Sequence, residues 1–234
     1  MKAVILAAGS GKRIKTLAKD VPKPLLRLTS QTILDILLEK LKEVGIESLA
    51  LVVAREHLDA FRRVTLGWDM DIRLFVQLRP LGTADALKST QEFLPGQDAF
   101  LLLYGDQVFD FSLQPLIDYY KSNSFSSVFI IEKAPSGRKG NRVKLKDNKV
   151  IAIKEYRSGS PAGYSATGIC ILPGKIFRYL DWVKPAEDKE FYLTGAIDCM
   201  LQEGEPAGFF HIPGGRINLN TPEDVEEARL LLAK

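Results

Sequence analysis

The sequence predicts an α/β fold with a mostly parallel, mixed central sheet flanked by helices. Short apolar runs alternate with amphipathic segments along the chain, which is the pattern of repeated strand–helix units. Several of these runs are continuously apolar, so both faces of the corresponding strands are expected to be buried. Such units build a Rossmann-like sheet, which binds its ligands at the carboxyl ends of the strands.

The elements can be assigned in order along the chain. The predicted strands are the short apolar runs at residues 3–8, 48–54, 72–77, 99–104, 127–132 and 164–172. The predicted helices lie at residues 32–44, 84–93, 113–122, 193–202 and 222–232. Gly45 ends the first helix, and Thr221 caps the last one, which carries Glu223 and Asp224 in its first turn. Asp147-Asn148 predicts the turn of a hairpin over residues 142–154.

Composition favours an ordinary globular protein. The 234 residues are 46% hydrophobic and 26% charged, and no repeat or linker divides them, so we expect one domain over residues 1–234. A net charge of +3 does not indicate nucleic-acid binding. No apolar run approaches the roughly 20 residues of a membrane helix, and the N-terminus lacks the pattern of a cleavable signal. Cys170 and Cys199 are expected to be buried thiols. We therefore expect a cytoplasmic protein.

The first strand leads into a small basic loop that suits a polyanion. Gly9 and Gly11 let the backbone turn tightly and bring bare N–H groups close to a ligand. Six basic residues follow, with Asp20 the only acid among them: Lys12, Arg13, Lys15, Lys19, Lys23 and Arg27. This composition predicts a phosphate site, with a nucleoside triphosphate as the obvious ligand. The alternative is a solvated surface turn.

Two common glycine loops are excluded by their spacing. The phosphate loop of P-loop NTPases requires a glycine where Leu6 stands and a serine or threonine where Arg13 stands. The dinucleotide fingerprint requires a third glycine at the position of Ile14. Neither motif fits this loop.

The segment LAAGSGKRIKTLAKDVPKPLL, residues 6–26, closely resembles the N-terminal signature of the sugar-1-phosphate nucleotidyltransferases. Lys12 replaces a usual threonine, and Thr16-Leu17-Ala18 replaces a common Pro-Leu-Thr spacer. Further blocks similar to the family's follow in family order. They are Gln77 with LGTADAL at 81–87, LYGD at 103–106, Glu155, TGI at 167–169 and INLNTPED at 217–224.

The resemblance implies a Mg²⁺-dependent enzyme that joins a pyrimidine NTP, with UTP or dTTP favoured, to a sugar 1-phosphate. It assigns catalysis to Arg13 and Lys23 and nucleotide binding to Leu6, Ala8, Gly9, Gly11, Gln77, Gly82 and Thr83. The implied metal ligands are Asp106 and Asn218, and the implied sugar contacts are Gly140, Glu155 and Thr167. Residues 132–165 are expected to form a small sugar-facing lobe. A homo-oligomer is left open.

The chemistry of these side chains agrees with the implied roles. Asp106 follows a buried strand, so its carboxylate emerges at the carboxyl end, and magnesium needs few protein carboxylates because it shares the phosphates of its substrate. Asn218 stands where many relatives have Asp, and its amide oxygen can still ligate the ion. Arg13 is expected to hold the pyrophosphate, and Lys23 to bridge the α-phosphate and the sugar phosphate. No general base is required, because a sugar phosphate is already anionic.

Several alternatives stay open. Small cytidylyltransferases share the N-terminal signature, so CTP is the second candidate nucleotide. Glu155 could be a surface charge beside Lys154 and Arg157. Ala166 stands where enzymes of the family that use N-acetylglucosamine tend to have Asn, so an N-acetyl hexosamine is not favoured. The chain could also be a regulatory subunit that binds a nucleotide sugar without turnover.

Overall fold

A nine-stranded mixed sheet forms the centre of the computed structural model, which describes residues 1–9, 21–95, 99–137, 139–156 and 158–233. In the described chain the strands are β1 (Lys2–Leu6), β2 (Ser48–Ala54), β3 (Asp71–Gln77), β4 (Ala99–Tyr104), β5 (Gln107–Phe109), β6 (Ser127–Ala134), β7 (Gly140–Lys146), β8 (Lys149–Tyr156), β9 (Gly163–Pro173), β10 (Ala207–His211) and β11 (Arg216–Asn218). The helices are α1 (Ile33–Glu43), α2 (Leu58–Thr65), α3 (Thr83–Lys88), α4 (Gln114–Lys121), α5 (Ile176–Leu180), α6 (Leu193–Gln202) and α7 (Pro222–Leu232). Single 3-10 turns cover Lys23–Leu25, Arg55–His57 and Gln91–Phe93.

The main path of the sheet has the strand order β10-β6-β9-β4-β1-β2-β3. β4, β1, β2 and β3 are parallel neighbours, and so are β6 and β10, whereas β9 is antiparallel to both β4 and β6. The β7–β8 hairpin lies off this path and pairs with β9 at Val143 and Tyr164. β5 and β11 form a separate antiparallel ribbon. The predicted α/β class with a mostly parallel, mixed sheet is confirmed.

Both faces of the central strands are buried, which explains their continuous apolar sequences. Successive residues of β1 enter opposite layers: Ile5 packs into the core beneath α1, α4 and α7, and Val4 into the core beneath α3, α5 and α6. Neither side chain is exposed to solvent. Burial of a side chain of this size contributes roughly 1.5–3 kcal/mol, so the two layers fix the sheet in one register.

Most predicted elements are confirmed, and their ends differ for local reasons. β1 ends at Leu6 rather than at residue 8. The helix predicted over 84–93 ends at Lys88, because the hydroxyls of Ser89 and Thr90 donate to the carbonyls of Ala86 and Leu87. No bounds were predicted for the short elements α2, α5, β5, β10 and β11.

The hairpin turn and the cysteines can also be checked. Asp147 and Asn148 both have positive φ, 49° and 56°, as a two-residue type I′ turn requires. Cys170 and Cys199 are both free thiols; Cys170 is buried as expected, whereas Cys199 is only half-buried. Within the described ranges, no helix is long and apolar enough to cross a bilayer.

Candidate active site

A cleft of about 180 Å³ opens at the carboxyl ends of β1, β3 and β4. This is the edge at which parallel α/β sheets bind their ligands. Eight of the residues predicted from the sequence line the cleft: Leu6, Ala8, Gly9, Lys23, Gln77, Gly82, Thr83 and Asp106. The predicted residues Gly11 and Arg13 lie outside the described residues. The fold therefore brings the predicted nucleotide-binding and catalytic blocks together, as far as the structure describes them.

Close packing at Gly105 joins the ends of β1 and β4. The backbone N–H of Gly105 donates to the carbonyl of Leu6 at 2.9 Å. A Cβ at Gly105 would lie 3.2 Å from the Cβ of Ala7, which is tighter than ordinary contact. Glycine at this position therefore lets the Asp106 backbone lie directly beside residues 7–9, where the predicted phosphate loop begins.

Lys23 reaches the site from a single 3-10 turn held between two prolines. Pro22 and Pro24 flank it, and Leu25 N donates to the carbonyl of Pro22 at 2.9 Å. The ammonium donates to Leu219 O at 2.7 Å and to Asn220 Oδ1 at 3.4 Å. It lies 3.7 Å from the Asp106 carboxylate, with 13% of the side chain exposed. Lys23 thus connects the N-terminal motif with the segment after β11.

Asp106 has an electrostatic environment suited to a cation. Exclusion of water by the surrounding protein raises the pKa of its carboxyl above the ordinary value, and the positive charges of Lys23 and Arg216 oppose this rise. The ionised carboxylate is therefore less stable than it would be in water, so it gains more from a bound cation. About a third of the side chain is still exposed to the cleft.

Asn218 lies beside Asp106 through the β5–β11 ribbon. Asn218 pairs with Gln107 in the strand register, and Leu219 N donates to the carbonyl of Asp106 at 2.8 Å. Among the described residues there is no cluster of three or more His, Cys, Asp or Glu side chains that could bind a metal alone. One carboxylate and one amide oxygen nevertheless fit a magnesium ion that takes its other ligands from phosphates and water.

The base end of the cleft is formed by Gln77 and the loop that starts α3. Gln77 Nε2 donates to the carbonyl of Gly82 at 3.0 Å and to Asp85 Oδ2 at 2.8 Å. The sequence predicts that Gln77 and the Gly82-Thr83 backbone together meet the base with a donor and an acceptor. Both amide hydrogens of Gln77 are engaged within the protein, so its side chain is left with the carbonyl oxygen as an acceptor.

The backbone of Phe191 holds the same loop from the other side. Its N–H donates to Leu81 O at 2.7 Å, and its carbonyl accepts from Ala84 N at 2.9 Å. Gly82 has a φ of +98°, and a Cβ there would lie 2.5 Å from the Phe191 carbonyl oxygen. This loop therefore requires glycine for its conformation and for the space it leaves. Glu190, the neighbour of Phe191, lines the cleft and was not predicted from the sequence.

Tyr104 separates the cleft from a small apolar cavity of about 30 Å³ beneath the β7–β8 hairpin. Burial raises the pKa of its hydroxyl well above the ordinary value, and the hydroxyl bonds the side chain of Thr83. Asn141 lines the small cavity and makes two hydrogen bonds to the backbone of Ala166, at 2.7 and 3.0 Å. Tyr104 was not predicted as a site residue, because an aromatic residue at the end of a buried strand gives no separate signal.

The three residues predicted to contact the sugar, Glu155, Gly140 and Thr167, lie in three different environments. Glu155 is half-buried, accepts from Thr194 Oγ1 at 3.3 Å and lies close enough to Tyr104 to affect its pKa. Gly140 begins β7 with a φ of +137°. Thr167 does not reach the cleft: its hydroxyl donates to Ile130 O at 3.1 Å inside the sheet. For Thr167 the geometry favours a structural role.

The comparisons with known proteins agree with this site. A family model described as nucleotidyl transferase matches residues 2–215. The UTP–glucose-1-phosphate uridylyltransferase AglF of Haloferax volcanii is 26% identical, and the match covers 97% of this chain and 95% of AglF. The bifunctional protein GlmU of Methanococcus maripaludis strain C5 is 29% identical over 89% of this chain, which spans about half the length of that relative, 49%.

A solved structure shares the fold along nearly the whole chain. The crystal structure of a UDP-glucose pyrophosphorylase complexed with UDP-glucose superposes with a TM-score of 0.85 at 20% identity, covering 99% of this chain and 98% of the other. The family model spans more than nine-tenths of the sequence. The model and the relatives described above agree on the family. The chain belongs to the nucleotidyl transferase family, among the sugar-1-phosphate nucleotidyltransferases.

Proposed function

We propose that this enzyme transfers a uridylyl or thymidylyl group from UTP or dTTP to a sugar 1-phosphate, giving a nucleotide sugar and pyrophosphate. The observation that carries the proposal is the layout of one cleft, which has Gln77 and Gly82 at one end and Lys23 beside Asp106 at the other. The 26% identity with a uridylyltransferase over nearly the full length of both chains supports UTP.

The reaction needs charge neutralisation rather than proton transfer. An oxygen of the sugar phosphate attacks the α-phosphorus, a new P–O bond forms, and the bond to the β-phosphate breaks as pyrophosphate leaves. Lys23 can serve both phosphates, because its positive charge lies at the junction of the N-terminal motif and β11. Arg13 would hold the leaving pyrophosphate. Both residues act by stabilising charge that develops in the transition state.

We assign the divalent metal to Asp106 and Asn218. Enzymes of this family generally use such an ion, and it would neutralise charge on the nucleotide phosphates when bound. The Asp106 carboxylate supplies the negative charge, and Asn218 supplies a neutral oxygen from the adjacent strand of the ribbon. Lys23, whose ammonium lies 3.7 Å from the Asp106 carboxylate, would supply a second positive charge to the same phosphates.

The free carbonyl oxygen of Gln77 favours a base that presents an N–H group. Uracil and thymine offer N3–H and cytosine its amino group, but adenine and guanine also carry N–H donors, so this contact alone does not select among the bases. A base whose N–H does not reach this oxygen would leave it unpaired at a residue that is only 7% exposed. The preference for UTP or dTTP over CTP therefore rests on the resemblance of the 81–87 loop and on AglF.

For the sugar we propose contacts from Glu155 and from the Gly140 segment, on the far side of Tyr104 from the base. Glu155 is fixed by Thr194 and accepts hydrogen bonds, as recognition of sugar hydroxyls requires. Both the Nδ2 and the Oδ1 of Asn141 make a hydrogen bond to the backbone of Ala166. The methyl side chain of Ala166 offers no amide for an N-acetyl group, so a hexose 1-phosphate without that group is the better fit.

The test is release of pyrophosphate, with Mg²⁺ present, from UTP, dTTP, CTP, ATP and GTP, each combined with several sugar and polyol 1-phosphates. We expect release with UTP or dTTP and one hexose phosphate. A preference for CTP would contradict the base assignment and leave the reaction class intact. No release from any pair, with NTP binding retained, would favour the regulatory subunit over the enzyme.

A further inference from the structure

Arg216 forms a partly buried ion pair beside the proposed metal site that none of the assigned roles uses. Its side chain is 9% exposed, Nε donates to Glu132 Oε2 at 3.2 Å, and Nη2 pairs with the other carboxylate oxygen. Glu132 belongs to β6 in the main sheet, whereas Arg216 begins β11 in the separate ribbon. The pair therefore ties the ribbon to the sheet.

A second contact of Arg216 reaches the strand that follows Asp106. Nη1 donates to Gln107 Oε1 at 3.1 Å, and Gln107 Nε2 donates in turn to the carbonyl of Gly168 in β9 at 3.3 Å. Gln107 is 1% exposed, so this connection is inside the protein. A continuous chain of hydrogen bonds thus runs from β6 through β11 and β5 to β9.

The register of the ribbon puts Arg216 on the same face as Asn218. Cross-strand partners share a face of a ribbon, as do residues two apart. Asn218 is paired with Gln107 and Arg216 with Phe109, whereas Ile217 and Val108 lie on the opposite face. The proposed ligand Asn218 therefore lies on the ribbon face that Arg216 holds in place. Gln107, which is the strand partner of Asn218 and bonds Arg216, directly follows Asp106.

We propose that Arg216 is a positioning residue for the metal site, which it acts on through Gln107 and the ribbon backbone rather than by touching the ion. The inference rests on the assignment of the metal to Asp106 and Asn218. A planar guanidinium suits this task, because it can hold a carboxylate with two donors while a third points to Gln107. Lysine at this position would keep the charge but lose the simultaneous contacts.

The test compares R216M and R216K with the wild-type protein. The first readout is the affinity for Mn²⁺, followed by electron paramagnetic resonance with the protein alone and with UTP. The other readouts are the melting temperature of the metal-free protein and the Mg²⁺ dependence of turnover. Loss of a partner that orients a metal ligand typically costs 10–100-fold in metal affinity or activity. We expect Mn²⁺ affinity to fall about 10-fold or more in R216M, less in R216K, and turnover to need correspondingly more Mg²⁺.

Two further variants separate positioning from stability. K175M removes the ion pair of Lys175 with Glu205, which is also partly buried but lies outside the cleft, and it should leave Mn²⁺ affinity unchanged. R216M leaves the Glu132 carboxylate without its partner, which is destabilising by itself. The double variant R216M/E132Q removes that charge, so we expect it to regain melting temperature but not Mn²⁺ affinity.

Unchanged Mn²⁺ affinity in R216M, or recovery of that affinity together with stability in R216M/E132Q, overturns the inference. If R216M does not fold, E132Q is tested in the same assays instead. Glutamine keeps the shape of the glutamate side chain, and the loss of its charge weakens the interaction with Arg216. A wild-type protein that binds Mn²⁺ without any turnover contradicts the proposed function and leaves this inference standing. A wild-type protein that binds no Mn²⁺ overturns it.

Discussion

Lys23 is the residue at which the N-terminal motif and the C-terminal ribbon meet. It bonds a carbonyl 196 residues further along the chain and faces Asp106, so it lies where phosphate charge would accumulate. Two prolines and a 3-10 turn fix its backbone, which limits the reorganisation needed to act on a substrate. This pre-organisation is what electrostatic catalysis requires.

We expect Lys23→Ala to lower kcat by about 100–1000-fold, because it removes a donor aimed at transition-state charge. NTP affinity should change only a few-fold, since the base loop is untouched. Steady-state pyrophosphate release and calorimetric titration with UTP measure the two effects. Lys40→Ala, which removes a lysine paired with Glu43 on the surface of α1, is the control. If Lys23→Ala instead loses NTP affinity and the wild-type protein shows no turnover, the chain is a regulatory subunit that binds nucleotide.

The ionised carboxylate of Asp106 suits a bound metal ion but lowers the stability of the metal-free fold. Its pKa is raised in the folded protein by burial, so at neutral pH the native state carries the cost of ionising it. Below the unfolded-state pKa of about 3.9 both states hold the proton and the cost disappears. Stability from this group is therefore present in acid and is lost as the pH rises toward the folded-state pKa.

Asp106→Asn should abolish turnover without lowering the melting temperature of the metal-free protein at pH 7. The amide cannot ionise, so the variant should match or exceed the wild type at neutral pH, and the difference should shrink toward pH 4. Thermal melts in EDTA between pH 4 and pH 8 measure this. Asp59→Asn, at an exposed pair with Arg62, should change little. A lower melting temperature for Asp106→Asn at pH 7 would contradict the argument.

At the scale of elements, the base loop is a segment held between a strand end and a second segment far along the chain. Gln77 at the end of β3 anchors the carbonyl of Gly82, and the backbone of Phe191 closes on the loop from the start of α6. The position of the loop therefore depends on contacts between residues more than a hundred apart.

Gly82→Ala tests that arrangement. A Cβ would lie 2.5 Å from the Phe191 carbonyl oxygen, at a φ of +98°, so the loop has to move. We expect a loss of roughly 1–3 kcal/mol in the free energy of unfolding, from backbone strain, and a rise in KM for the NTP. Urea unfolding and steady-state kinetics measure the two.

Gly45→Ala is the matched control for Gly82→Ala. Gly45 also has a positive φ, +69°, but a Cβ there would meet nothing within 4 Å. The Gly45→Ala variant should therefore lose stability through backbone strain alone, and its KM for the NTP should stay at the wild-type value. Equal behaviour of the two variants would show that contact with Phe191 does not position the loop.

Elements with local signals could be predicted, and those defined by distant partners could not. Thr221 and Asp224 form the capping box that begins α7, and the signal lies within four residues. β5 and β11 have three residues each, too few to show a period, and exist because they pair across more than a hundred residues. α2 was given no bounds because it is only eight residues long and only one of its side chains, Phe61, is buried, so its apolar period is short.

The candidate site shows the same division. The motif residues of the cleft could be found because the family's blocks keep their order along the chain. The engagement of the Gln77 amide with Asp85, and of the Thr167 hydroxyl with Ile130, depends on neighbours that only the folded chain supplies. Arg216 could not be found for the same reason, since its partners come from β6 and β5.

For the whole molecule, one sheet buried on both faces supports a cleft whose lining comes from distant parts of the chain. Leu6 ends the first core strand, and Glu190 precedes α6, and both line the same space. A nucleotide in that space contacts segments that join only in the native state. Its binding free energy is therefore added to the stability of the entire fold, by mass action.

We expect a nucleotide that fits the cleft to raise the melting temperature by about 5–10 °C at a concentration 100 times its dissociation constant. Saturation of that degree adds about 2.7 kcal/mol, and each kcal/mol shifts a domain of this size by about 2–4 °C. Differential scanning fluorimetry with Mg²⁺ and each of the five NTPs gives the order of preference without relying on turnover. Gly82→Ala should show a smaller shift at the same UTP concentration, whereas Gly45→Ala should show the wild-type shift. Equal shifts for all five nucleotides would contradict selection of the base by Gln77 and the Gly82 loop, because a base whose N–H does not reach the buried Gln77 oxygen leaves that oxygen unpaired.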